Sequence, residues 1–232
     1  MTTLFASTIA PSTVLARVFV VVLGLAIWFG TQWLLSRRKP LAESDPTNAI
    51  GDGIHRLTAP IHRHLVNHPG HANALLISSS LVIDALGCFL VGSALFGASV
   101  QPFLGLIMLF ALRQICQAFC PLPPPQEMIW RKPGFPTLLV TYGVSSDLFF
   151  SGHTAIAVYG AAILATTLGP IGILLGTAIA LFEIAAVLVL RAHYTMDVFA
   201  GAVTALLVHR LSADWAPSVD RWIAALLTAL HL

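Results

Sequence analysis

Charge is what this sequence has least of. Aspartate, glutamate, lysine and arginine make up 9% of its 232 residues, against about 25% in a soluble domain. A chain this poor in charge cannot clothe a water-facing surface. With 57% hydrophobic residues and a mean hydropathy of +0.85, the composition points to a polytopic membrane protein. The length would allow two small soluble domains, but apolar spans at regular spacing argue for one membrane bundle. The net charge of +2 is too small for a nucleic-acid partner. Cysteine is scarce too: Cys88, Cys116 and Cys120 lie in apolar stretches, and an odd set of this kind is no disulfide framework. Cys116 and Cys120 are four residues apart, but no second His or Cys pair completes a zinc site. They read as packing residues, and neither a metal nor another cofactor is expected. Internal repeats and low-complexity tracts are also missing.

What is present is a series of apolar runs, each near the ~20 residues that cross a bilayer. The reading is an all-α bundle of six transmembrane helices plus interfacial helices, forming one membrane domain over residues 1–232. The spans are Val14–Leu35, Ala74–Phe96, Pro102–Phe119, Leu148–Leu168, Ile171–Leu190 and Val198–Leu211. Residues 1–40 hold the first span and its basic flank, Arg37-Arg38-Lys39-Pro40. Its apolar core exceeds a signal-peptide h-region and a basic run follows it, which fits a retained anchor. Residues 41–71 form a His-rich interfacial connection (His55, His62, His64, His68, His71). There Ile54, Leu57, Ile61 and Leu65 recur at helical spacing and suggest an amphipathic helix on the membrane surface. The five histidines read as interfacial polar residues. Residues 72–211 form the core, and 212–232, with Trp215, Trp222, Ile223 and Leu226, a C-terminal interfacial helix. Pro121-Leu122-Pro123-Pro124-Pro125 stops the third span, because proline lacks a donor and clashes with the preceding turn.

Six spans put the unusual polar residues on one face of the membrane: Arg113, the loop 121–147, Ser151–His153 and His193–Asp197. Ionisable groups at membrane depth are costly and are functional candidates by default. Arg37, Arg38, Lys39, Arg56, Arg63, Arg131 and Lys132 share that face, and the positive-inside rule puts it in the cytoplasm.

His193 and Asp197 are four apart, so on a helix they share a side. A carboxylate beside an imidazole fixes its tautomer and strengthens the other nitrogen as a nucleophile. Ser151-Gly152-His153 precedes an apolar helix: serine is a favoured N-cap, glycine lets a ligand approach the backbone, and a helix N-terminus attracts phosphate. His153 is then placed to protonate a departing alkoxide. Either string alone is a weak signal, since each also describes a capped helix end. Together, one helical hairpin apart and on one face, they predict a phosphoryl-transfer site for lipids.

These residues carry a resemblance. Arg113 running into Cys120-Pro121-Leu122-Pro123-Pro124, Asp147 six residues before His153, Ser151-Gly152-His153-Thr154, and His193-Tyr194-Thr195-Met196-Asp197-Val198 resemble the sphingomyelin synthase-like branch of the type 2 phosphatidic acid phosphatase superfamily. The wording Leu148-Phe149-Phe150-Ser151-Gly152-His153 is especially similar to plant phosphatidylcholine:diacylglycerol cholinephosphotransferases. The resemblance spans roughly residues 50–211. It implies a metal-free, two-step transfer of a phospho-headgroup from a phospholipid to diacylglycerol or ceramide, with membrane lipids as partners. His193 is the implied nucleophile and passes through a phosphohistidine, His153 the acid and base, and Asp197 the residue that orients His193.

The phosphatase pattern has Ser-Arg shortly before its nucleophilic histidine, where this chain has Ala186 and Val187. It also has a Lys-x6-Arg-Pro clamp that is missing here. Both departures favour transfer over hydrolysis. Arg113 and Arg191 are candidate phosphate contacts, Arg191 being equally readable as a surface anchor. Ser151, Gly152 and Tyr194 complete the expected substrate surface, and Glu183 is a candidate second carboxylate. Asp84 is a candidate partner for Arg113, and Asp147 for the motif histidine or a cationic headgroup. Trp130, Phe135, Tyr142, Phe149 and Tyr194 could cage choline, though interfacial aromatic belts would account for them equally. Two other functions stay open: a lipid phosphate phosphatase using water, and a non-catalytic lipid-binding or transport bundle. The side is open as well, because charge favours the cytoplasm while sphingomyelin synthases and many bacterial relatives work on the exoplasmic face.

Overall fold

Every regular element in the computed structural model is an α-helix, and there is no strand among the described residues, which are 9–37, 51–120, 122–140, 142 and 148–229. The helices are α1 (Pro11–Ser36), α2 (Gly53–Leu57), α3 (Ala59–Asn67), α4 (Pro69–Phe96), α5 (Gln101–Phe119), α6 (Gly152–Leu168), α7 (Pro170–Val189) and α8 (Thr195–Ala229). Arg38, Lys39, Pro40, the connection up to residue 50, Pro121, Asp147 and the last three residues lie outside the described residues.

Proline near the start of α3, α4, α5 and α7 sets where those helices begin, since the missing N–H has no intrahelical partner there. Asp52 caps α2 by accepting from the N–H groups of Ile54 and His55. Ser151 caps α6 by accepting from Thr154. Gly169, at φ 59°, makes the tight turn between α6 and α7.

Among the described residues five helices are long and apolar enough to cross a membrane: α1, α4, α5, α7 and α8. That is consistent with an integral, multi-pass protein. The remaining expected span, Leu148–Leu168, begins as a helix only at Gly152 and has 17 residues. It rises about 26 Å, short of the ~30 Å hydrocarbon core. Residues 148–151 bend instead of joining the helix, and this sets the polar Ser151–His153 at the helix start.

Two sequence expectations change shape. The sixth span and the C-terminal interfacial helix are one continuous helix of 35 residues, with Pro217 inside it. Its far half is fastened to the bundle: Ile223 and Leu227 pack with Val100. Asp220 accepts from Ser99 Oγ at 2.6 Å, Val100 N at 3.2 Å and Arg17 Nη2 at 3.3 Å.

The amphipathic segment differs more. A break at Thr58 divides it into α2 and α3. Leu57 and Ile61 consequently point outward at 76% and 56% exposure, while Leu65, His55 and His62 are buried. His55 and His62 are therefore not interfacial polar residues. Each meets a buried backbone carbonyl, of His193 and Val189 respectively, and that pairing makes their burial tolerable. His64, His68 and His71 do remain at the surface, stacked on one another.

The main core joins α4, α5, α6 and α8 through Ile83, Leu86, Leu90, Phe103, Leu106, Leu109, Ile156, Tyr159 and Ala205. Tyr159 is fully buried and donates its hydroxyl to Gln101 O at 2.8 Å. A second cluster, Leu65, Leu76, Ile129, Val187, Leu188, Leu190 and Val198, gathers beneath the α7–α8 connection. The two clusters flank the convergence of the expected polar motifs.

Candidate active site

The site is built where the starts of α6 and α8 meet. Ser151 N donates to Asp197 O at 3.1 Å, tying the two helix beginnings together. Gly201, one turn further along α8, permits this approach: a Cβ there would stand 2.7 Å from Ser151 O.

Ser151, His153, His193 and Asp197 are all buried. His193 Nδ1 lies 3.7 Å from Asp197 Oδ2, longer than a hydrogen bond. The same Oδ2 accepts from Tyr194 N at 2.9 Å, so the carboxylate is steered by the backbone of the residue beside the histidine. Of the buried polar atoms without a hydrogen-bond partner among the described residues, three meet at this site: His153 Nε2, His193 Nδ1 and Asp197 Oδ1. Most buried polar atoms in a folded protein are paired. A cluster that is not is a place where a polar ligand or water belongs.

His153 and His193 line one cavity with Arg113, Gly152, Trp28, Ile83, Phe110, Trp130 and Ile156. Its volume, about 50 Å³, is room for water; a lipid headgroup requires it to widen. Arg113, from the end of α5, donates from Nε to Phe150 O at 3.0 Å. Its guanidinium lies over Gly152, where a Cβ would come within 3.1 Å of Nε. The cation is thereby held at the start of α6, beside His153. Trp130 stands edge-on to His153 with ring centroids 5.1 Å apart, and Tyr142 packs on Trp130 at 4.8 Å. Trp130 lines the cavity with Trp28 and Phe110, whereas Tyr142 packs on Trp130 from outside the lining. Phe135 is exposed, and Phe149 packs edge-on to Phe150.

The other sequence candidates fall elsewhere. Arg191 turns to the loop after α5, pairing with Glu127 Oε2 at 2.9 Å and donating to Gln126 O; it does not line the cavity. Asp84 does not pair with Arg113. It accepts from the backbone N–H groups of Leu138 and Leu139, both at 2.9 Å, and so fixes the loop that roofs the cavity. Glu183 is fully buried and accepts from Ser79 Oγ at 2.7 Å, joining α7 to α4 away from the cavity lining. Tyr194 is buried against His55, with ring centroids 5.9 Å apart. Asp147 lies outside the described residues.

Three contributors were not singled out from sequence. Trp28 of α1 is buried in the cavity wall and stacks on Phe110 at 4.2 Å; an aromatic residue inside an apolar span carries no signal of this. Asp52 accepts from Thr195 N and Thr195 Oγ1, both at 2.7 Å. His55 Nε2 lies 2.9 Å from His193 O. Asp52 could have been suspected as a helix cap, but its second partner is 143 residues away. Among the described residues no group of three His, Cys, Asp or Glu side chains is arranged to hold a metal ion.

Compared with known proteins, residues 52–214 match the model of the AtPDCT1/2 family, which is phosphatidylcholine:diacylglycerol cholinephosphotransferase-like. The match takes in the site residues named above except Trp28. No curated protein and no solved structure matches the chain.

Proposed function

As the chain belongs to the AtPDCT1/2 family, we propose that it moves phosphocholine from a glycerophospholipid to a lipid alcohol, diacylglycerol or ceramide, through a phosphohistidine on His193. Family membership marks it as a membrane-associated transferase of phospholipid metabolism with lipid substrates. The step beyond that rests on one observation. His153 and His193 face a common cavity beside Arg113, with partnerless polar atoms on both histidines and on Asp197.

In the first half-reaction the Nε2 lone pair of His193 attacks phosphorus. An N–P bond forms as the P–O bond to the diacylglycerol oxygen breaks, and His153 gives that oxygen a proton. Nε2 is the attacking atom because Nδ1 is the nitrogen nearest Asp197. As positive charge develops on the ring, Asp197 closes the 3.7 Å gap and stabilises it. In the second half His153 removes the proton of the incoming hydroxyl, whose oxygen displaces His193 from phosphorus. Arg113 and the start of α6 offset the phosphate charge in a site with little competing water. Trp130, in the cavity wall, offers a π face to a quaternary ammonium.

The assay is purified enzyme with headgroup-labelled phosphatidylcholine and unlabelled diacylglycerol. The expected outcome is label in newly made phosphatidylcholine that carries the acceptor's acyl chains. Label appearing only as water-soluble phosphocholine or phosphate would instead establish hydrolysis.

A further inference from the structure

The ends of α7 and α8 enclose the segment that carries His193, and each end leaves backbone groups with no intrahelical partner. Residues outside the two motifs satisfy them. Asp52 takes the N–H of Thr195, the first residue of α8, on Oδ2, and the Thr195 hydroxyl on Oδ1. Oδ1 also takes the N–H groups of Ile54 at 2.9 Å and His55 at 3.1 Å. One carboxylate therefore caps two helices at once. His55 donates from Nε2 to His193 O, and its ring lies on Tyr194. His62 donates from Nδ1 to the carbonyl of Val189, the last residue of α7.

These bonds leave the His193–Thr195 backbone little freedom. The His193 carbonyl is held by His55, the Tyr194 amide by Asp197, the Tyr194 carbonyl by the amides of Asp197 and Val198, and the Thr195 amide by Asp52. The residue between the two external anchors is Tyr194, next to the histidine whose ring must keep its distance from Asp197. Burial pushes the Asp52 carboxyl up, but the hydrogen bonds from Thr195 and His55 outweigh it and leave it below its ordinary value of 3.8. It is ionised throughout the neutral range, and charge-assisted hydrogen bonds are the stronger kind.

We infer that Asp52 and His55 are positioning residues for catalysis: through Thr195 and the His193 carbonyl they hold the His193 ring in register with Asp197 and the cavity, a role that rests on His193 being the nucleophile proposed above. The short helix α2 and its cap thus serve the segment that carries His193. Neither side chain lines the cavity, so their loss reaches turnover without first weakening lipid binding.

The test is kcat and KM for phosphatidylcholine in the headgroup-transfer assay, for wild type, Asp52→Ala, Asp52→Asn, His55→Phe, His55→Gln and His193→Ala. Misplacing a reacting group by about 1 Å costs on the order of 100-fold. Asp52→Ala and His55→Phe should each lower kcat about 10- to 100-fold with KM within about twofold of wild type. Asp52→Asn keeps an acceptor for Thr195, and His55→Gln keeps a donor for the His193 carbonyl; each should recover part of the loss. His55→Phe retains a ring against Tyr194, so it decides the matter if Asp52→Ala does not fold. Wild-type kcat in His55→Phe, or a raised KM with kcat unchanged, overturns the role. Absence of transfer by wild type, or its survival in His193→Ala, would count against the proposed function instead.

Discussion

His193 and Asp197 sit 3.7 Å apart in a buried pair, close enough to hydrogen-bond after a small ring movement. At this scale function depends on atoms without partners. Replacing His153 by alanine removes the proposed proton donor to the leaving oxygen, and general acid–base catalysis contributes about 10²- to 10⁴-fold. The expected outcome is a loss of turnover in that range in a protein that still unfolds cooperatively in detergent, because His153 Nε2 bonds no other side chain and only the packing of Trp130 on the ring is lost. His62 makes a separate prediction. Burial lowers its pKa from 6.5, with Arg191 adding to the effect, while the Val189 carbonyl and Glu127 partly oppose it. The unfolded chain therefore binds a proton that the folded chain refuses, and stability falls as pH drops below about 6.5. Unfolding temperature measured between about pH 7 and pH 5 should decline less steeply in His62→Gln than in wild type. An equal slope would show that His62 does not govern the acid response.

The helices act mainly by where they begin. Because α6 starts at a serine cap and α8 at a threonine tied to Asp52, His153 and Asp197 occupy first turns, where backbone N–H groups are available, and His193 lies in the bend just before α8. Gly201→Ala tests that closeness. The added Cβ, 2.7 Å from Ser151 O, must push α8 from α6, and overpacking costs about 1–3 kcal/mol. Transfer should fall at least about tenfold, and unfolding should occur at lower temperature; full activity would mean that the two helix starts need not touch. Asp220 offers the contrast. Asp220→Ala leaves Arg17 with only the carbonyls near the end of α4 and frees the Ser99 hydroxyl, about 1–3 kcal/mol of lost hydrogen bonding. Lower thermal stability with retained turnover is expected, since these residues lie at the end of α5 opposite Arg113.

The same scale explains what was legible in the sequence. Apolar runs ended by proline and glycine marked α4, α5 and α7 to within a few residues, because a bilayer demands continuous apolar length and those residues interrupt it. His153, His193 and Asp197 could be read because each lies in a short local string. The helical spacing of residues 54–65 did not say which side of the segment the protein covers. The ends of α7 and α8 cover His55 and His62, each of which finds a carbonyl partner there, and Leu57 and Ile61 are left exposed. Trp28 could not be read at all and Asp52 only as a helix cap, since their further roles depend on residues that only the fold brings near. Arg191 was ambiguous for a physical reason: an arginine at a span end serves a phosphate or a neighbouring carboxylate equally well, and here Glu127 is beside it.

For the molecule as a whole, a bundle of apolar helices carries a polar junction formed by α2, α5, α6, α7 and α8. Five of the described helices are long and apolar enough to cross a membrane, and the shorter α6 brings Ser151–His153 against the start of α8. The far end, where Arg17, Ser99 and Asp220 meet, fastens the long α8 without contributing to the cavity. In the proposed mechanism His193 carries the headgroup between two lipids. The most direct measurement compares wild type and His193→Ala, purified in parallel, for transfer of labelled phosphocholine onto diacylglycerol with distinguishable acyl chains. Label on the new lipid is expected with wild type and none above background with His193→Ala. Transfer at the wild-type rate by His193→Ala would contradict that mechanism.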